Sequence, residues 1–115
     1  MPLSQAVLNR HATLLVQAMR GLTESVTLRH KAQQESASTA LVVPDALITE
    51  FSARELAVRE INPEDRRCRI RTAALAVNPT RWSTITRSDS SLWQIASVQG
   101  GEHHPFWDLR LQRIG

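Results

Sequence analysis

The sequence predicts a mainly β domain with an N-terminal α-helix, a small antiparallel β-barrel or sandwich covered by one helix. Apolar side chains recur at helical spacing near the N-terminus, and beyond residue 24 they alternate with polar ones in four to six short runs. Turn-forming clusters separate those runs roughly every eight to twelve residues, the rhythm of a compact antiparallel sheet. A chain of 115 residues builds one hydrophobic core but not two, so residues 1–115 read as a single domain.

Ser4 is suited to cap a helix over residues 4–20, in which Val7, Leu8, Leu14, Leu15, Val16, Met19 and Leu22 recur at spacings of three, four and seven. Gln5, Asn9, Arg10, Thr13, Gln17 and Arg20 fall largely on the opposite side, and Gly21 is placed to end the helix in a left-handed cap. The apolar stripe is expected to cover the open face of a β-domain over residues 24–114; the other reading is a helix that binds a second chain. Val26, Leu28 and His30 alternate with Thr27, Arg29 and Lys31, a first strand with one sheltered face. Residues 33–40 are polar and small and read as a mobile loop.

Residues 41–51 are apolar and β-branched, but Pro44 offers no ladder donor. A strand is expected on either side of a break, or from Ala46, at a sheet edge. One helical turn is expected at residues 52–56, and Asn62-Pro63-Glu64-Asp65 is a strong turn signal. Cys68, Ile70, Thr72 and Ala74 then alternate with Arg67, Arg69 and Arg71, which puts three guanidiniums on one exposed face. After Asn78-Pro79-Thr80, residues 82–86 and 92–98 flank Arg87-Ser88-Asp89-Ser90-Ser91 as a hairpin, closed by Gly100-Gly101. A last strand spans 106–114, with Trp107, Leu109, Leu111 and Arg113 on one face. The three tryptophans are expected to lock the sheet together.

Hydrophobic residues at 42% and charged residues at 22% exclude wholesale disorder, and no apolar run approaches the roughly 18–20 residues of a membrane helix. The N-terminus has no basic segment followed by an uninterrupted apolar one, so no secretory signal is read there. Lone Cys68 reads as a small buried strand residue. Neither phosphate-cradling glycine motif occurs, and adjacent His103 and His104 on an extended segment would point to opposite sides, so no metal, cofactor or catalytic set is expected. The basic residues are thirteen arginines and one lysine, at a net charge of +3 and a pI near 10.4. Arg67, Arg69 and Arg71, with Arg81 and Arg87 further on, are therefore candidate interface residues, for protein partners or for phosphate. Glu55, Glu60, Glu64 and Asp65 lie near enough in sequence to neutralise the row.

The C-terminal half carries a further pattern: a turn Ile61-Asn62-Pro63-Glu64-Asp65, a strand running to Asn78-Pro79, Leu92-Trp93-Gln94-Ile95-Ala96-Ser97-Val98, and a closing Leu109-Arg110-Leu111-Gln112-Arg113. From about Ala46 to Arg113 it resembles the phage head-tail joining proteins, also called head completion, connector or stopper proteins. Two positions depart from that family's pattern: Glu64 stands where a turn glycine is usual, and Ser88-Asp89-Ser90-Ser91 lacks the hairpin glycine. The resemblance implies a non-enzymatic subunit of a virion neck, assembled in the host bacterial cytoplasm, from a phage or prophage. Its implied partners are sister copies in a ring, a portal or adaptor protein, tail proteins, and DNA in the ring lumen through non-specific contact. A tail terminator or tail-completion protein is the nearest variant, and a small β-barrel nucleic-acid-binding module is the reading from a different class.

Overall fold

A computed structural model describes residues 4–18, 23–59, 61–101 and 103–115, with the backbone alone for 15–18. The order of elements is α1 (Gln5–Ala18), β1 (Glu24–His30), β2 (Thr39–Glu50), α2 (Ala53–Arg59), β3 (Arg66–Arg71), β4 (Thr84–Thr86), β5 (Leu92–Gly100) and β6 (Phe106–Arg113), with a 3-10 turn at Thr72–Ala74. All six strands pair antiparallel in the cycle β1-β2-β3-β6-β5-β4, and β4 returns to β1, so the sheet is a closed barrel. The chain is thus mainly β, a barrel with an N-terminal helix.

The alternation seen in the sequence fills the barrel. Leu28, Ile70, Ile85, Leu109 and Leu111 are fully buried, joined by Val26, Val43, Cys68, Ile95, Trp93 and Trp107 in one contiguous cluster. Burying each large aliphatic side chain contributes about 1.5–3 kcal/mol, enough to dictate which face of each strand turns inward. Trp93 donates its Nε1–H to Ser91 Oγ at 2.8 Å. Trp82 is the exception to the expectation for the tryptophans, since it lies half-buried outside this cluster.

Ser4 caps α1 as expected, its Oγ accepting from the Val7 N–H at 3.3 Å. A closed barrel has no open face to cover, so the helix meets the outside. It touches β3, where Thr13 Oγ1 accepts from Arg71 Nη1 at 3.1 Å. At its start Gln5 accepts from the His103 N–H at 2.6 Å and donates to the His104 carbonyl at 3.1 Å. Ala12 is buried, whereas Val7 and Leu14 remain about half exposed, and no described helix residue enters the barrel core. The C-terminal cap expected at Gly21 lies outside the described residues.

Pro44 does not break β2, and it lies in the stretch 39–46 that pairs with β1 alone, β3 taking up only residues 47–50, so the expected edge position holds locally. Glu24 pairs with Ala46 and Val26 with Val43, so Pro44 and Asp45 together face the single residue Ser25 in a β-bulge. The bulge removes the demand for a ladder N–H at the proline, which lets a twelve-residue strand run between two neighbours. The predicted turn at 52–56 is a longer helix, α2, whose Ser52 and Glu55 form a capping box: the Glu55 N–H donates to Ser52 Oγ at 3.2 Å and the Ser52 N–H to Glu55 Oε1 at 3.5 Å. Strand β2 begins at Thr39, inside the expected loop, and β3 stops at Arg71, giving way to the 3-10 turn.

The two departures from the family pattern have different structural outcomes. At the first turn Asn62 Oδ1 accepts the Glu64 N–H at 2.9 Å and the Asn62 carbonyl accepts the Asp65 N–H at 2.9 Å, and Glu64 has no positive φ, so no glycine is needed. At the hairpin Ser90 takes the left-handed conformation itself, at φ 69°.

Candidate functional site on the outer face of the barrel

With Cys68 and Ile70 turned inward, strand geometry sends Arg67, Arg69 and Arg71 outward, as their alternation requires. Each meets a carboxylate. Arg67 forms a two-pronged pair with Glu55 of α2, lies 3.4 Å from Asp108 Oδ1, and stacks 5.1 Å above the Phe51 ring. Arg69 sits 3.7 Å from the other oxygen of Asp108, its partner across the β3–β6 ladder. Arg71 donates to Asp45 Oδ2 at 2.5 Å. Arg66 donates to the carbonyls of Pro63, Glu64 and Asp65 and lies 3.7 Å from Glu50. Of the acids expected to neutralise the row, Glu55 does so directly. Glu64 supplies only its carbonyl, Asp65 faces Arg110 at 3.9 Å, and Glu60 lies outside the described residues. Burial holds the Asp65 carboxyl above the usual carboxylate range, with Arg110 opposing that shift.

The other two candidate arginines sit apart from the row. Arg87, just beyond β4, grips Glu24 at the start of β1 with Nη2 at 2.7 Å and Nε at 3.3 Å, while Ser88 donates its N–H and Oγ–H to the same carboxylate. The Arg87 hydrogen bonds hold the Glu24 carboxyl below its ordinary range against the opposing effect of burial, and Glu24 in turn raises Arg87. Arg87 also lies 5.8 Å over the Trp93 ring, so it works as a strap between β1 and the hairpin. Arg81 is exposed and stacks 5.2 Å over Trp82.

Arg81 borders a shallow depression of about 600 Å³ on the outer wall, shared with Lys31, Gln34, Trp82, Arg110 and Gln112. Its floor is the second irregularity of the barrel, the bulge at Ala96 of β5, where the β5–β6 register slips between Ile95 and Ser97. Its rim is fixed by polar contacts, most of them partly buried. Ser83 Oγ accepts the Lys31 N–H at 3.1 Å, Thr80 Oγ1 donates to the Lys31 carbonyl, and Gln94 Nε2 donates to the carbonyls of Arg81 and Ser83. Sequence reasoning missed Lys31, Gln34 and Gln112 here. The available signal was that Arg29 in β1 and Lys31 just beyond its end alternate in sequence with the apolar positions.

Among the described residues no group of three or more His, Cys, Asp or Glu side chains is placed to hold a metal ion, and no described helix is long and apolar enough to cross a membrane. His103 adopts φ 67° in a turn, so the histidine pair does not lie on the extended segment expected. Neither a family model, nor a curated protein, nor a solved structure matches this chain.

Proposed function

We propose that the chain is a structural subunit of a phage or prophage neck, joining the portal-bearing head to the tail as part of an oligomeric ring. The observation that carries the reading is where the apolar surface remains: the barrel is filled and closed, yet Val7, Leu14, Val42, Val58 and Ile114 stand 50–75% exposed on its outside. Side chains of this size on a small rigid body suit contact with neighbouring subunits. A heterologous ring contact needs two different patches per copy, and α1 with α2 offers one while the strand exteriors offer another. The sequence resemblance supports the same assignment. The half-exposed Arg69, bordering the neighbouring pairs, suits the rim of such a contact.

Disrupting the gene in its phage tests the proposal. Filled heads and finished tails should accumulate unjoined, and purified chain added to that lysate should restore joined, infectious particles. An arrest at DNA packaging, or an unchanged titre, overturns it; tails of uncontrolled length would reassign the chain as a tail terminator.

A further inference from the structure

We infer that the depression lined by Lys31 and Arg81 is a binding surface for the phosphodiester backbone of nucleic acid. Charge is distributed unevenly over the barrel. Arg66, Arg67, Arg69, Arg71, Arg87 and Arg110 each have a described carboxylate within 4.0 Å, so the arginine row presents little free charge. Lys31 and Arg81 have none among the described residues; Lys31 Nζ reaches only the Gln34 carbonyl, at 3.1 Å, and Arg81 only the face of Trp82. No acidic side chain lines the depression. Arg10, Arg29, Arg54 and Arg59 also have no described ion pair, but Lys31 and Arg81 are brought together in one depression without acidic lining, where the backbone is pinned by Thr80, Ser83 and Gln94.

The chemistry of the lining selects the occupant. A protein partner needs an apolar anchor pocket, and the one large aromatic here, Trp82, already carries Arg81 on its face. Phosphate oxygens need point charges and neutral donors, which Lys31, Arg81 and the Gln112 amide supply. The register extends the track: Arg29, Thr84, Gln94 and Gln112 face one another across β1, β4, β5 and β6, a polar row around the outer wall. Binding of this kind reads no sequence and weakens steeply with salt. The surface is argued from charge and register alone and does not depend on the neck assignment.

The test is fluorescence anisotropy of a labelled 20-base-pair DNA duplex with the full chain, titrated from low salt upward. Lys31→Gln/Arg81→Gln should weaken binding about tenfold or more near 0.1 M salt and lower the slope of log affinity against log salt by about 2. Arg54→Ala/Arg59→Ala removes the same charge from exposed positions on α2 and should leave both quantities near those of the parent. Equal losses in the two variants would reduce the effect to net charge and overturn the site. So would absence of binding by the parent at low salt, or competition by poly-glutamate as effective as that by DNA, which would assign the groove to an acidic protein segment instead.

Discussion

Gly101 is a position where a single methyl group should cost heavily. It is buried just beyond β5 at φ 97°, a conformation that alanine adopts only with strain of order 1–2 kcal/mol. A Cβ built there falls 2.6 Å from Trp107 Cζ3 and 3.1 Å from Cζ2, and closer still to Cη2. Trp107 is only 8% exposed and wedged in the core cluster, so its ring has little room to retreat, and crowding of this kind typically adds about 1–3 kcal/mol. The sum for Gly101→Ala is about 3 kcal/mol, or a melting temperature lowered by roughly 10 °C for a domain of this size. Thermal and urea unfolding followed by circular dichroism and tryptophan fluorescence would measure it. Gly115→Ala is the control, because its Cβ meets Leu92 Cβ at an ordinary 3.5 Å. In a Trp107→Phe background the collision disappears while the strained φ remains, so the cost of Gly101→Ala should fall by about half. A Gly101→Ala chain melting within about 2 °C of the parent would refute the packing argument.

Three further outcomes are expected. Ser90→Gly should stabilise the chain by about 0.5–1 kcal/mol, since φ 69° is strained for serine and free for glycine; a loss of stability in urea titration would contradict this. Glu24 has its carboxyl depressed chiefly by the Arg87 hydrogen bonds, so its contribution is fully present above the ordinary value near 4.5 and is lost as pH falls through the lower folded value. Glu24→Gln should accordingly cost about 1 kcal/mol at pH 7, with the difference from the parent closing below about pH 4; a gap independent of pH across unfolding curves would reject the ion pair as its cause. Cys68 is fully buried, and burial pushes its thiol well above the ordinary range, so a thiol reagent should label it only as fast as the chain unfolds; rapid labelling at pH 8 would show the barrel to be open there.

The elements legible in the sequence were those that obey one period for their whole length. Helix α1 and strands β1, β5 and β6 fall where the periodicity placed them, and β3 does so as far as Arg71, beyond which the alternation read to Ala74 gives way to a 3-10 turn, because burial enforces each periodicity residue by residue. Strand β2 was obscured by Pro44, whose usual meaning of a break is overridden by a bulge opposite Ser25, while its meaning of an edge holds where 39–46 pair with β1 alone. Strand β4 keeps three ladder residues of the five expected, because Trp82 and Ser83 are drawn into the turn that fixes Lys31. The outward direction of Arg67, Arg69 and Arg71 was legible, and so was Glu55 as a neutralising partner, but Asp45 and Asp108 were not. Asp45 and Asp108 are 26 and 39 positions from the arginines they meet in β3, counting 71 − 45 and 108 − 69, and only barrel register brings them across. Lys31 and Arg81 meet for the same reason, through contacts between residues some fifty positions apart.

Although the hydrogen-bonded circuit returns from β4 to β1, residues 39–46 of β2 find ladder partners on β1 alone and residues 47–50 on β3 alone, so this stave keeps stretches of backbone without a second neighbour. The vulnerable seam is β4 itself, held by only three residue pairs on either side. A lesion that peels it away would bare the facing edges of β1 and β5 to pairing with another chain.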